Sequence, residues 1–326
     1  MINYAVIGRG NIADQYIKGA EISGKFSLSA VYSRNEATGR EYAMKWGCNK
    51  VYTSLEDLAA DKEIEAVYIA SPNSCHPWQT EALLKGGKHV ICEKPITTSA
   101  EEYKRLKALA DSKGLIYMEA IIPIYVDSRA EIKKAVASLG NIAMSKIDFC
   151  QLTSRYAALM AGEHVNIFDM SLHAGTLMDL GIYCVYAAVD LLGVPKSIKA
   201  TASFLKNGAD GGGTAIFDYE DFTACLTYSK VGQSQAPSEI IGDKGSVLID
   251  RIGLYSGAYS VVNGEKTRLD TEQPKENLMA KEAEAFARFI KGEELALYEE
   301  NSHLCYDVHT CMDQIKKSAD INYPQK

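Results

Sequence analysis

Residues 6–13 read Val-Ile-Gly-Arg-Gly-Asn-Ile-Ala, and this stretch decides the fold of the N-terminal part of the chain. It continues an apolar run at residues 4–7 that is typical of a buried strand. Gly8, Gly10 and Ala13 have the G-x-G-x-x-A spacing of a dinucleotide-binding turn. In such a turn the first glycine permits a tight turn, and the second has no Cβ to block a pyrophosphate. The small alanine lets the next helix pack on the sheet. Amides that open a helix also attract phosphate charge. The sequence therefore predicts a phosphate-binding turn formed by Gly8, Arg9, Gly10, Asn11, Ile12 and Ala13.

The composition allows two domains and argues against several kinds of partner. A chain of 326 residues with 47% hydrophobic content can fill two separate cores. The 35 basic and 42 acidic side chains give a net charge of −7 without a cluster of Lys or Arg, which argues against nucleic acid and anionic membranes as main partners. The most apolar long stretch, residues 180–189, is bounded by Asp179 and Asp190 and falls short of the ~18 residues that a membrane span needs.

Cysteine and histidine usage indicates a reduced protein with no metal site. The eight cysteines are scattered without a C-x-x-C pair, and the six histidines show no H-E-x-x-H or similar ligand spacing. Residues 1–4 lead directly into the first strand, which leaves no room for a signal peptide. We therefore expect a cytoplasmic protein with free thiols.

Strand-like and helical segments alternate over the first 120 residues. Strand patterns lie at residues 27–33, 65–70, 88–92 and 115–119, and helical patterns lie at residues 11–23, 36–46, 76–85 and 100–113. Ser99 is predicted to cap the last of these helices. Repeated β-α units imply a parallel sheet covered on both faces, so residues 1–120 are predicted to form a doubly wound α/β domain of the Rossmann type that binds a dinucleotide.

The end of the second strand bears on the choice of cofactor. An acid at this position binds the ribose 2′-hydroxyl of NAD, whereas an Arg accommodates the 2′-phosphate of NADP. This chain has Ser33 and Arg34 there, and Arg9 adds positive charge nearby. A hydroxyl and a guanidinium fork both suit a phosphate, so NADP is favoured, with NAD as the alternative. In the competing interpretation Arg34 is a solvated loop residue, with the acid Glu36 close by.

The pattern of predicted strands and helices changes from residue 121 onward. Longer strand patterns lie at residues 143–152, 197–204, 213–217, 223–228, 238–241 and 246–250, with one strong helical pattern among them at residues 174–192. These features predict that residues 121–326 form an α+β domain with an open, mainly antiparallel sheet that binds substrate and mediates oligomerisation. Helices predicted at residues 279–291 and 303–319 could pack back on the first domain.

Polar residues interrupt the apolar helix of this second domain. Asp179 and Tyr183 are four residues apart and therefore share one helix face. Gly181 between them costs about 1 kcal/mol relative to Ala in a helix, which suggests that another group approaches it closely. That group is either a cofactor or substrate, or a packed side chain of the core.

The triplet Glu93-Lys94-Pro95 follows an apolar strand. Together with the N-terminal turn, it makes the chain resemble the glucose–fructose oxidoreductase/inositol dehydrogenase family (Gfo/Idh/MocA), and the resemblance covers essentially the whole chain. Two further matching pieces are Ser71-Pro72-Asn73 with His76, and Asp179-Leu180-Gly181-Ile182-Tyr183. Many members of this family carry a D-x-x-x-H pattern. Tyr183 occupies the histidine position here, as in the branch that contains glucose–fructose oxidoreductase, dimeric dihydrodiol dehydrogenase and xylose dehydrogenases.

The resemblance implies a role for each matching residue. Tyr183 would be the general acid/base, Lys94 would hold the substrate oxygen beside the nicotinamide, and Asp179 would orient the substrate or Tyr183. Asn73, His76 and Glu93 would contact the nicotinamide ribose or carboxamide. The cofactor-binding residues outside the first turn would thus be Ser33, Arg34, Ser71, Pro72, Asn73, His76, Glu93 and Lys94.

The expected function is hydride transfer between NADP, or NAD, and a hydroxyl or carbonyl carbon of a sugar, polyol or diol. Two alternatives stay open. One is an imine or biliverdin-type reductase on the same fold, and the other is a nucleotide-sensing regulator without catalysis. Because exposed apolar sheet is costly, the second domain is expected to bury one sheet face in a homodimer or homotetramer.

Overall fold

The computed structural model describes residues 1–324, which fall into two compact units. The first unit contains Met1–Tyr125 and Gln273–Ser302. The second contains Val126–Glu272 and residues 303–324. The chain thus passes through most of the second unit and then returns to the first. The first unit therefore includes Gln273–Ser302 in addition to the predicted residues 1–120.

The secondary structure consists of the following elements. The strands are β1 (Ile2–Ile7), β2 (Phe26–Tyr32), β3 (Lys50–Tyr52), β4 (Ala66–Ile69), β5 (His89–Glu93), β6 (Tyr117–Ala120), β7 (Ile142–Cys150), β8 (Ser197–Phe204), β9 (Asp210–Asp218), β10 (Thr223–Ser229), β11 (Ser238–Gly242), β12 (Gly245–Arg251), β13 (Ser256–Val262) and β14 (Glu265–Arg268). The helices are α1 (Asn11–Ser23), α2 (Glu36–Lys45), α3 (Leu55–Ala60), α4 (His76–Lys85), α5 (Ala100–Ser112), α6 (Ser128–Ala137), α7 (Tyr156–Met160), α8 (Ile182–Leu192), α9 (Lys275–Ile290) and α10 (Leu295–Ser318).

The first unit is built on a six-stranded parallel sheet in the order β3-β2-β1-β4-β5-β6. The crossover from β1 outward to β3 and then back to β4 is the doubly wound topology. Val6, Ile69 and Ile91 on the central strands are fully buried, as expected for parallel strands covered by helices on both faces. Ser99 accepts a hydrogen bond from the amide of Glu102 (3.2 Å) and caps α5 as predicted. The parallel α/β fold predicted from the alternating pattern is confirmed.

Helix α9 belongs to the first unit and packs on α1. A Cβ at Gly19 would lie 2.9 Å from the Cβ of Met279, so the glycine allows the two helices to approach closely. Phe26 and Phe286 stack with their ring centroids 5.8 Å apart. The core of the first unit therefore includes side chains that lie more than 250 residues apart in the sequence.

The second unit contains an eight-stranded sheet in the order β14-β13-β12-β11-β7-β10-β9-β8. All neighbouring pairs are antiparallel except β7 and β10. The predicted open, mainly antiparallel sheet is confirmed. Strands β13 and β14 were not predicted. Every residue of β14 is exposed, and its sequence therefore lacks the alternation of polar and apolar residues that indicates a strand.

Helix α8 covers one face of this sheet. Ala224, Leu226 and Tyr228 on β10 are buried, whereas the residues that alternate with them, Thr223, Cys225 and Thr227, lie on the other face. The stretch Met170–Leu192 is long and apolar enough to cross a membrane by length and composition. Because 78% of its most apolar window is buried inside the structure, core packing accounts for this apolar character.

The helix predicted at residues 174–192 is not a single α-helix. It opens with a π-helical turn at Leu177–Gly181 and continues as α8. A Cβ at Gly181 would lie 2.9 Å from Leu177 Cδ1 and 3.1 Å from Tyr228 Cγ. The close approach inferred at this glycine is therefore made by packed side chains of the core.

Candidate active site

The predicted phosphate-binding turn lies at the carboxyl end of β1. Gly8 has φ +115°, and a Cβ there would lie 2.4 Å from the carbonyl oxygen of Ala70, so only glycine fits. Gly10 is the N-cap of α1, and apart from its own stretch of chain nothing among residues 1–324 lies within 4 Å of where its Cβ would be. Ala13 is fully buried under the sheet. An open approach to the first amides of a long helix fits the pyrophosphate of a dinucleotide.

The other residues of this turn differ in exposure. Arg9 and Asn11 are exposed, and Ile12 is half-buried. Arg9 and Asn11 therefore have the most accessible side chains of this turn.

The loop after β2 presents Arg34 to solvent. Ser33 is buried, and its hydroxyl donates to the carbonyl oxygen of Asn35 (2.8 Å), so it shapes the loop. Glu36 accepts from Arg40 at 2.6 Å, one turn further along α2. The acid near Arg34 is thus engaged by another guanidinium.

His76 connects the loops that follow β4 and β5. Its Nδ1 lies 2.8 Å from the carbonyl oxygen of Pro95, and its Nε2 lies 2.7 Å from the carbonyl oxygen of Ser71. The ring is almost fully buried, and burial lowers the pKa of His76. The imidazole therefore holds together two of the loops that the sequence assigns to the cofactor, while its own contact with the cofactor stays a prediction.

The rest of the loop after β4 is more accessible. Ser71 is half-buried and donates to Gln79 Oε1 (2.6 Å), Pro72 is exposed, and Asn73 begins a short 3₁₀ turn. These positions flank the phosphate turn, because the amide of Ala70 donates to the carbonyl of Ile7 (2.7 Å).

Glu93 and Lys94 have contrasting environments at the end of β5. The Glu93 carboxylate is buried and accepts from the Tyr68 hydroxyl at 2.5 Å, and burial raises the pKa of Glu93. Lys94 is half-buried and is joined to Pro95 by a cis peptide bond. The backbone after Pro95 is fixed by the amide of Ile96, which donates to Glu119 Oε1 (2.7 Å).

The second unit places Asp179 within the π-helical turn and Tyr183 at the start of α8. Asp179 forms an ion pair with Lys230, whose side chain is only 11% exposed. The half-buried Tyr183 ring packs edge-on against Phe149, with centroids 5.6 Å apart. π-Helical turns occur frequently at functional sites, and this one carries Asp179 and directly precedes Ile182 and Tyr183 of α8.

Three contacts at these sites could not be found from the sequence. Lys230 directly follows β10, and only its place at a strand end hints at a role. Tyr68 lies within the apolar strand β4, and Glu119 lies within β6. No local pattern signals these side chains, because their partners are distant in the chain.

The two histidines near the π-helical turn have protein partners. His164 Nε2 lies 2.7 Å from Asp169 Oδ2, and the His173 ring stacks on Tyr323 with centroids 5.2 Å apart. Each imidazole therefore contacts another side chain of the second unit.

A Rossmann unit with a dinucleotide turn, joined in one chain to an α+β unit with polar side chains on an apolar helix, defines a two-domain nucleotide-dependent oxidoreductase. Family models match both units: an oxidoreductase family with an NAD-binding Rossmann fold over residues 2–121, and the GFO/IDH/MocA C-terminal domain over residues 130–248. The chain belongs to the Gfo/Idh/MocA oxidoreductase family.

Three relatives illustrate the family. The chain is 35% identical over 325 residues to the scyllo-inositol 2-dehydrogenase (NADP(+)) of Bacillus subtilis, covering 99% of both chains. It is 26% identical to the mouse trans-1,2-dihydrobenzene-1,2-diol dehydrogenase, covering 81% of this chain and 79% of the relative. The crystal structure of a 3-ketoreductase from Actinomadura kijaniata with NADP and TDP-benzene has the same fold, with a TM-score of 0.84, 20% identity and 98% coverage of both chains.

Proposed function

We propose that this protein is an NADP-dependent dehydrogenase that acts on a secondary hydroxyl of a polyol, sugar or vicinal diol. The observation that carries the proposal is the helix of the second unit, where a paired carboxylate and a phenol interrupt an otherwise buried apolar surface. Full-length similarity to an NADP(+)-dependent inositol dehydrogenase supports the cofactor and the substrate class. Similarity to a dihydrodiol dehydrogenase supports adjacent hydroxyl groups as the recognised feature.

The proposed roles follow from the chemistry of each side chain. The nicotinamide, when bound, supplies or accepts the hydride. Tyr183 exchanges the hydroxyl proton with the substrate oxygen, and Lys94 donates a charge-assisted hydrogen bond to that oxygen. Asp179 accepts a hydrogen bond from a substrate hydroxyl, and its ion pair with Lys230 fixes its orientation.

The remaining residues hold the cofactor in this proposal. Amides at the start of α1 bind the pyrophosphate, helped by the positive charge of Arg9. Asn73 and Glu93 contact the nicotinamide half. His76 acts mainly by joining the loops that carry Ser71 and Lys94, as its two carbonyl contacts support.

A substrate panel tests the proposal. The purified chain is assayed with NADP and NAD against inositol isomers, aldoses, vicinal diols and cyclic imines, following absorbance of the reduced cofactor. Oxidation of inositols, aldoses or diols with NADP supports the proposal. Turnover confined to imines favours the imine-reductase alternative, and tight cofactor binding without turnover of any compound favours a nucleotide-sensing regulator.

Replacing Arg34 by Ala should weaken NADP more than NAD. Charge-assisted hydrogen bonds to a phosphate contribute about 1.5–3 kcal/mol, so the KM for NADP should rise about 10- to 100-fold while that for NAD changes little. Steady-state kinetics with both cofactors measures this change. Arg105→Ala, which removes an exposed guanidinium of α5 in the same unit, is the matched control. An unchanged NADP/NAD ratio in Arg34→Ala would show that Arg34 is only a solvated loop residue.

We also propose that the protein self-associates through the sheet face opposite α8. Met144 and Ile216 on this face are 38% and 39% exposed, and Cys225 lies between their strands with its side chain on the same face. Burial of such residues by a second copy removes apolar surface from water. Sedimentation velocity should give the mass of two or four chains, and a single-chain mass at micromolar concentration would exclude this arrangement.

We further propose a cytoplasmic location, because the eight cysteines are free and free thiols are typical of a reducing compartment.

A further inference from the structure

Asp210 is a buried acid that holds the beginning of the π-helical turn. Its side chain is fully buried at the start of β9, and its Oδ2 accepts a hydrogen bond from the amide of Leu177 (2.6 Å). Its backbone carbonyl accepts from the Thr176 hydroxyl (2.9 Å). The first amides of a helical segment have no partner within the segment, so Asp210 supplies an acceptor that the π-helical turn lacks.

Gly175 provides the space for this carboxylate. Gly175 has φ +148°, and a Cβ there would lie 2.0 Å from Asp210 Oδ1. Any other residue would therefore displace the carboxylate from the turn. The loop before the turn and the strand beneath it are fitted to each other at this point.

The environment of Asp210 makes it a costly residue for the fold. Burial raises the pKa of Asp210 to about 7, and the groups that face it include the buried phenols of Tyr228 on β10 and Tyr323. Among residues 1–324, Asp210 Oδ1 has no hydrogen-bond partner. Burying a carboxylate is unfavourable unless hydrogen bonds offset its desolvation, and the amide of Leu177 donates such a bond to Oδ2.

The same strand also holds the cation that pairs with Asp179. The amide of Lys230 donates to the carbonyl oxygen of Gly211 (3.0 Å), the residue next to Asp210. The ammonium of Lys230 then forms the ion pair with Asp179. Two adjacent residues of β9 are thus connected to the π-helical turn. Asp210 accepts from its first amide, that of Leu177, and Gly211 binds the backbone of Lys230, which pairs with Asp179.

We propose that Asp210 is a positioning residue for the substrate-binding helix, on which its carboxylate acts through the amide of Leu177. The inference rests on the proposed function in treating Asp179 and Tyr183 as substrate-binding residues. Asp210 itself, buried beneath the helix, acts on the reaction only through these residues.

The test compares Asp210→Ala with Asp210→Asn, since an asparagine carbonyl still accepts from the Leu177 amide. Hydrogen exchange of residues 177–183, followed by mass spectrometry on the full chain, is the primary readout. Exchange should be about tenfold faster in Asp210→Ala and close to wild type in Asp210→Asn. In the dehydrogenase assay Asp210→Ala should lose about 10- to 100-fold in kcat/KM without a change in the Kd for NADP, and Asp210→Asn should recover most of it. Asp218→Ala, at the other end of β9, is the matched control and should leave both readouts unchanged.

Unchanged exchange in Asp210→Ala, or equal losses in the Ala and Asn variants, would overturn the proposal. Should Asp210→Ala fail to fold, Gly175→Ala places a Cβ 2.0 Å from Asp210 Oδ1, displaces the carboxylate and should accelerate exchange of the same segment. Exchange at the wild-type rate in Gly175→Ala would then overturn the proposal. Hydrogen exchange does not depend on turnover. A failure of the proposed function, seen as full activity in Tyr183→Phe, is therefore distinguishable from a failure of this inference.

Discussion

Tyr183→Phe should lower kcat by about 10²- to 10⁴-fold and leave the Kd for NADP unchanged, because general acid–base catalysis typically contributes a factor of this size. The substitution removes one hydroxyl group. It keeps the aromatic ring that packs edge-on against Phe149, so the packing of this side chain is preserved. Steady-state kinetics with the best substrate of the panel and fluorescence titration with NADPH provide the two measurements.

Two comparisons make the Tyr183 result interpretable. Tyr259→Phe removes a phenol hydroxyl from a half-buried tyrosine on β13 and should retain full activity. Transfer of the proton at Tyr183 also predicts a pH dependence of kcat that the phenylalanine variant loses. Near-full turnover in Tyr183→Phe would exclude this residue as the acid/base, and the dehydrogenase proposal would then need another proton carrier in the second unit.

The features predictable from the sequence are those encoded by neighbouring residues. The turn at Gly8 was predictable because one backbone conformation, φ +115°, selects glycine whatever surrounds it. Helix α1 was predicted with its observed bounds, since its cap and its apolar face are both local. The cap at Ser99 is another local feature, formed with the amide of Glu102 three residues later.

Features that depend on distant residues were not predictable. The sequence alone could not show that Asp210 would meet the amide of Leu177, because 33 residues separate them. For the same reason the His76 clamp on the carbonyl of Pro95 was not visible, although His76 itself was a candidate. The π-helical turn was also missed, since a hydrophobic pattern cannot distinguish a π turn from the first turn of an α-helix.

The site as a whole depends on both kinds of information. Local motifs predict which residues carry chemistry, among them Lys94 and Asp179. The tertiary structure adds residues that hold them, such as Lys230 beside Asp179 and Glu119 at the amide of Ile96. Substitutions of the holding residues should therefore change rates less than substitutions of the residues that touch the substrate.

Catalysis by a tyrosine near neutral pH needs a nearby positive charge. Lowering the pKa of a phenol from its usual value of ~10 by two units requires about 2.7 kcal/mol. One positive charge ~4 Å away, at an effective dielectric constant of ~20, supplies about 4 kcal/mol before desolvation is counted. We propose that the ammonium of Lys94 supplies this charge, in addition to its hydrogen bond to the substrate oxygen.

Lys94→Met should therefore lower kcat/KM by about 10²- to 10³-fold, which corresponds to the loss of about 3–4 kcal/mol of transition-state stabilisation by this charge and its hydrogen bond together. The alkaline rise of kcat should also shift to higher pH, because the phenol ionises less readily without the ammonium; stopped-flow rates between pH 6 and 10 measure both effects. Lys104→Met is the matched control, since it removes an exposed lysine of α5 in the same unit and should change neither rate nor pH profile. A Lys94→Met enzyme with a lower rate but an unshifted pH profile would limit Lys94 to binding the substrate oxygen, and one with the wild-type rate would remove it from the site altogether.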